Sequence, residues 1–171
     1  AVATRTADEL EARVVREGGA AAVMYTREQW AAHPQGAAAA SQAPVALTHG
    51  PVGEGRRLGP GERPLEGVKV LDLTRVLAGP FGTRFLAAWG ADVLRIDPPG
   101  FEEVPGIVPE VTAGKRCAFL DLTAERDRAR FDDLLAEADV IVHGYRPGAL
   151  AALGLDTAAL RRRNPSLVVS E

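Results

Sequence analysis

The residues of this 171-residue chain that carry reactive chemistry are three histidines, one cysteine and several aspartates at the ends of apolar runs. His33, His49 and His143 are too far apart for metal-ligand spacing, so no metal site is expected. His143 follows the run Val140–Val142, at the strand end where open α/β sheets bind ligands. A solvated or hydrogen-bonded imidazole is the plainer account of it. Cys117 lies between Arg116 and Ala118 with no neighbouring histidine. It reads as a small buried hydrophobe and not as a nucleophile. A single cysteine excludes an internal disulfide and fits a reducing cytoplasm. Neither a G-x-S-x-G elbow nor a P-loop occurs. After the run 68–73 the chain reads Ala78-Gly79-Pro80-Phe81-Gly82, which fails the G-x-G-x-x-G dinucleotide pattern. Proline also removes an N–H that would face a phosphate. Asp97 closes the next run as an acidic residue does in nicotinamide binders, but without the glycines that signal for a nicotinamide site is weak.

These residues must be positioned by a recognisable set of elements. Val68, Val70, Leu71 and Leu73 suit a strand covered on both faces. A helix follows over Pro80–Trp89, with proline in its first position, Phe81, Phe85 and Leu86 on its apolar face, and Gly90 as its stop. Further strands are expected at Ala91–Ile96, Cys117–Leu120, Val140–Val142 and from Leu167. Helices are expected at Ala124–Glu137, capped by Thr123, at Pro147–Leu153, and from Asp156 or Thr157 to about Arg163. Asp72 ends the first strand and is expected to fix the following loop by hydrogen bonds. Strands alternating with helices at this spacing predict an α/β fold, an open parallel Rossmann-like sheet with helices on both faces. Phe101–Thr112 reads as a long loop, either a lid or binding segment or a plain connection.

The first third has a different pattern. Thr6 with Glu9 and Thr26 with Gln29 are capping boxes for two short helices. Ala20–Met24 and Pro44–Leu47 read as short strands, so this segment is expected to be α+β. The Ala-rich stretch from Gly36 to Ala43 suits either helix or loop. Residues 50–63, rich in glycine and proline, read as a linker. The organisation is therefore residues 1–49, a linker over 50–63, and residues 64–171.

A net charge of -3 leaves no basic footprint for nucleic acid. Arg161-Arg162-Arg163 is the solvated last turn of a helix, where cations complement the dipole. No apolar run of about 18 residues exists, so no membrane span is expected. No secretory leader is legible, and a cytoplasmic location is expected. The chain begins without methionine and stops just after a strand-like run, so both ends are expected to be cuts within a longer polypeptide.

Five blocks carry a family resemblance. They are the run from Pro64 to Pro80; Gly90 to Gly100; Gly114-Lys115-Arg116-Cys117-Ala118-Phe119-Leu120-Asp121-Leu122; Tyr145-Arg146-Pro147-Gly148-Ala149-Leu150, preceded by Ala138-Asp139-Val140 and followed by Leu153-Gly154-Leu155; and Asn164-Pro165-Ser166-Leu167-Val168. In this order over 64–170 the chain resembles class III (CaiB/BaiF-type) CoA-transferases. More weakly, Thr6–Leu10 and Thr26–Gln35 resemble the end of that family's small second domain, which ordinarily follows the large domain's opening. The resemblance therefore implies a tandem or fused polypeptide: residues 1–49 the tail of one unit, 64–171 the opening of another.

The resemblance implies an enzyme that moves CoA between carboxylic acids through an aspartyl-CoA intermediate, with no permanently bound cofactor. Acyl-CoA racemases share the fold and are one alternative; a non-catalytic dimerisation or scaffold half of a fused enzyme is another. The family's catalytic residues fall downstream, so the nucleophilic aspartate is expected beyond Glu171. Asp72, Asp97 and Asp121 are not assigned that role. Val76, Leu77 and Ala78 match the loop near the thioester. Leu120, Asp121 and Leu122 match the stretch facing the adenine. Gly144, Tyr145 and Arg146 match the loop bordering CoA; where the family usually has Glu-Asn-Phe or Glu-Asn-Tyr this chain has His143-Gly144-Tyr145, so the asparagine side chain is lost. Many members carry an arginine where this chain has Ala152; Arg146 or Arg95 is the available phosphate donor. Expected partners are acyl-CoA and carboxylic acid substrates, with a homodimer or packing against the rest of a longer polypeptide.

Overall fold

Val70 and Leu71 are adjacent in strand β1 (Lys69–Asp72) and project to opposite faces, so this strand seeds two separate cores. The computed structural model describes residues 2–50 and 58–171. It forms two units, Ala1–His49 and Gly50–Glu171. Of the expected linker, residues 51–57 lie outside the described residues, and 58–63 are irregular and exposed.

The larger unit runs β1, α4 (Ala78–Ala88), β2 (Asp92–Asp97), α5 (Val108–Thr112), β3 (Arg116–Phe119), α6 (Glu125–Glu137), β4 (Val140–Val142), α7 (Thr157–Arg163) and β5 (Val168–Ser170). The strands form one parallel sheet in the order β3-β2-β1-β4-β5, as the alternating pattern predicts. On one face Val70 and Val93 pack with Ala87 of α4. On the other, Leu71, Leu94 and Ile141 pack with Phe131 and Leu135 of α6 and Leu160 of α7. Each such fully buried side chain contributes about 1.5–3 kcal/mol through removal of apolar surface from water. Asn164 donates through Nδ2 to the carbonyls of Leu135 and Ala138, satisfying the open end of α6.

Several expectations need correction. Phe81 and Phe85 do not face the core: the sheet side of α4 is Pro80, Thr83 and Ala87, and Phe85 is 61% exposed. Thr83 must reach Asp72, and that contact turns the aromatic side outward. Pro80 is third in the helix, not first; its missing N–H still belongs to the unpaired first turn. Phe101–Thr112 is not a structureless loop. It holds a 3-10 turn over Pro105–Ile107 and then α5, whose Val111 is completely buried. Thr123 does not cap α6; its N–H and hydroxyl both donate to Asp121 Oδ1, and α6 starts at Glu125. Only Ala151–Leu153 of the helix expected at 147–153 forms, as a 3-10 turn. Cys117 is exposed and not buried, because β3 is an edge strand.

The smaller unit contains α1 (Ala7–Arg16), α2 (Arg27–Ala32) and α3 (Pro34–Ala40). Both capping boxes form, through Thr6 with Glu9 and Thr26 with Gln29. The strands expected at Ala20–Met24 and Pro44–Leu47 do not form. The Val23 N–H is taken by the Glu11 carboxylate instead of a neighbouring strand. Of the Ala-rich stretch, residues 36–40 are helical as part of α3 and residues 41–43 are not.

Candidate functional site

In a 3-2-1-4-5 sheet the strand order reverses between β1 and β4, and the crevice at their carboxyl ends is where such folds place ligands. A cleft of about 760 Å³ lies there. One wall is Val76, Leu77, Ala78 and Gly79, after β1; the other is His143, Gly144, Tyr145 and Arg146, after β4. Beside it is a smaller cleft of about 360 Å³, floored by Leu73 and Ile96 and closed by Asp97, Leu120, Asp121, Leu122, Leu150 and Leu153. Leu73, Arg75 and Tyr145 line both clefts. The site residues expected from the sequence thus gather along one continuous edge, with Arg95 the exception.

Asp72 anchors the first wall. Its side chain is completely buried. Oδ1 accepts from the Thr74 N–H at 2.9 Å and the Thr74 hydroxyl at 2.5 Å. Oδ2 accepts from Thr83 Oγ1 at 2.6 Å and Lys115 Nζ at 2.8 Å. Lys115 Nζ also donates to the Pro80 carbonyl at 2.8 Å, joining the strand end to the first turn of α4. Burial alone would raise the Asp72 pKa, but the bonds from Lys115, Thr74 and Thr83 outweigh it and hold the carboxyl below its ordinary value. The turn is so tight that a Cβ on Gly79 would come within 2.4 Å of Thr74 Cβ.

Val76 then adopts φ 69°, an unusual conformation for a β-branched residue, with its side chain 57% exposed. Its N–H donates to Glu103 Oε2 at 3.1 Å, and the same oxygen accepts from Arg95 Nη2 at 3.1 Å. Arg95 Nε also bonds Asp97 Oδ2 at 2.8 Å. The Arg95 side chain is only 2% exposed, so it lies beneath the clefts and does not line them. Burial would raise the Glu103 pKa, but the N–H groups of Val76 and Val104 and the Arg95 guanidinium hold it below its ordinary value.

Arg75 joins the two clefts. Its Nη2 donates to Tyr145 Oη at 2.8 Å, and its guanidinium lies 4.5 Å from the Phe101 ring centre and 5.2 Å from that of Tyr145. The second wall is more loosely built. Arg146 and Gly144 are exposed. His143 is buried, and its Nδ1 meets no hydrogen-bond partner among the described residues. Burial lowers its pKa, partly offset by Glu171, whose carboxylate is 3.9 Å from Nε2. Asp121 turns inward on its own loop, and the Thr123 hydroxyl and N–H hold its pKa down. Sequence reasoning missed Arg75 and Glu103 as site groups. Arg75 stands one residue before the expected rim, a usable signal; nothing local marks Glu103.

Residues 65–171 match the model of CoA-transferase family III. An acetyl-coenzyme A transferase of Hypoxylon pulicicidum is 43% identical over 54% of this chain and 16% of its own length. A probable fatty acyl-CoA transferase of Mycobacterium tuberculosis is 36% identical over 62% of this chain and 30% of its own. A crystal structure of that M. tuberculosis protein superposes with a TM-score of 0.58, covering 63% of this chain and 31% of the other. An acyl-CoA transferase of Gibberella moniliformis is 33% identical over 90% of this chain and 28% of its own length. The chain spans less than a third of the length of each of these relatives.

Proposed function

The chain belongs to CoA-transferase family III, and from that premise we propose that it supplies the CoA-binding edge of an enzyme that moves CoA between carboxylic acids. The observation that carries this reading is the continuity of the two clefts through Arg75 and Tyr145. CoA is long, flat and apolar at one end, anionic in the middle and reactive at the other. The smaller cleft, between Leu73, Ile96, Leu120 and Leu122, suits the adenine. Arg75, at the junction, with Arg146 beyond it, suits the phosphates. The rim Val76–Ala78 then borders the thioester, close to the first N–H groups of α4.

In this reading the enzyme works through an aspartate that attacks the acyl-CoA thioester. A mixed anhydride forms and CoA thiolate leaves. The thiolate returns to give an aspartyl-CoA thioester and releases the donor acid, and the acceptor acid then takes the CoA through a second anhydride. The nucleophile lies outside these 171 residues. This is supported by the engagement of the three aspartates that stand at or just after the carboxyl ends of β1, β2 and β3: Asp72 is locked to Lys115, Asp97 to Arg95, and Asp121 to Thr123. The isolated chain therefore binds CoA without turning it over. Residues 1–49 are the tail of a preceding unit and 64–171 the opening of the next. The G. moniliformis relative, similar along nearly the whole chain, supports this order.

A second reading, a half that has lost CoA binding and serves as scaffold, is favoured by Gly144 and Ala152, which stand where the family usually offers asparagine and arginine. Calorimetric titration with CoA separates the two. Saturable heat competed by acetyl-CoA is expected; no heat and no competition leaves the scaffold reading.

A further inference from the structure

The segment Phe101–Thr112 crosses the carboxyl edge of β1 and β2 and places one carboxylate beneath the rim of the larger cleft. We infer that Glu103, oriented by buried Arg95, is a positioning residue: it holds the backbone of Val76 in its left-handed conformation and so sets the thioester end of the cleft without touching the ligand. This rests on the CoA-binding reading above.

The geometry supports the role from three sides. A β-branched residue at positive φ persists only where its surroundings impose it. Among the described residues, the one side-chain acceptor for the Val76 N–H is Glu103 Oε2, at 3.1 Å. That oxygen is itself fixed by Arg95 Nη2 at 3.1 Å, while Glu103 Oε1 accepts the Val104 N–H at 3.2 Å. Both partners are withdrawn from solvent, with side chains 2% and 8% exposed, so their pairing is little screened by salt. Arg95 also grips Asp97, which borders the smaller cleft. The buried arginine thus links Asp97, at the adenine end, to Glu103, at the rim. Val76 itself is exposed, so its conformation is not imposed by packing of its side chain. The strap is fastened elsewhere, by buried Val111 and by the Arg84–Glu110 ion pair, so losing the Glu103 carboxylate leaves its far end attached.

The test compares Glu103→Ala and Glu103→Gln with the parent chain in two measurements. The first is amide hydrogen exchange at Val76 and Leu77 without ligand. Glu103→Ala is expected to speed it by about tenfold, the equivalent of one lost charge-assisted bond, with the sheet amides unchanged. Glu103→Gln, which keeps an acceptor for Val76, is expected to recover most of the protection. The second is affinity for CoA and for ADP, whose adenine end fits the smaller cleft. Glu103→Ala is expected to weaken CoA by about tenfold and leave ADP within about twofold. Unchanged exchange, or equal losses for CoA and ADP, overturns the positioning role. A parent chain that binds neither ligand sinks the CoA reading, and the exchange result then decides the Glu103 clamp by itself.

Discussion

The two walls of the switch-point cleft are built in opposite ways. The wall after β1 rests on a buried carboxylate, a buried ammonium and two hydroxyls, with a second carboxylate clamping its tip. The wall after β4 has Gly144 and Arg146 exposed, and among its side chains Tyr145 alone has a described hydrogen bond, to Arg75. A Cβ on Gly144 would meet no atom within 4 Å, whereas one on Gly79 would collide with Thr74. The first wall therefore belongs to the folding core as much as to the site. The second is free to vary, and it carries this chain's departure at Gly144 from the resemblance. Ala152, the other departure, lines the smaller cleft next to it. Stability and ligand affinity should therefore separate between the walls.

The strongest break of that contrast is Asp72→Ala. It strands the Lys115 ammonium in the interior and is expected to cost about 3–5 kcal/mol in urea denaturation, whereas Gly144→Ala should stay within about 0.5 kcal/mol. If the two variants melt alike, the contrast fails. Acid should act on the same wall. The folded Asp72 carboxyl lies below its ordinary value of 3.8. Its contribution is therefore complete above that value and is lost as pH falls through the lower folded one. An acid denaturation curve of Asp72→Asn should lack this component; an unchanged curve would assign the acid transition elsewhere.

Two gains of function sharpen the second side. Ala152→Arg adds a guanidinium to the exposed edge of the smaller cleft and should tighten CoA binding by about tenfold, an effect that fades with added salt. Gly144→Asn supplies the missing amide in open space and should tighten binding by about threefold, one ordinary hydrogen bond, with no change in melting temperature. If neither variant changes the titration curve, CoA does not lie along this edge.

The parallel sheet was legible because its strands are short apolar runs and its helices end at Gly90 and Gly154 or begin at Asp156. Those signals are local, and β-branched runs have few alternatives. Asp72 was legible as a loop fixer because a carboxylate ending a buried strand must find donors. Its partner Lys115 was not, since 43 residues separate them and only the β2–β3 connection brings them together. Helix α4 misled for a related reason. Its periodicity placed Phe81 and Phe85 inward, but the Thr83–Asp72 bond sets the rotation of the helix. Cys117 looks buried until the sheet order makes its strand an edge. Arg95 read as a phosphate donor by type, and burial withdraws it from the clefts. Glu103 carried no signal, because its role depends on a backbone N–H 27 residues away.

The most direct test of the account is an amide shift map of the chain titrated with CoA. The account predicts saturable perturbations at both ends of one continuous edge, Leu120–Leu122 at one end and Val76–Ala78 with Gly144–Arg146 at the other, with ADP moving the first group alone. Shifts confined to other surfaces, or none at saturating CoA, would contradict it.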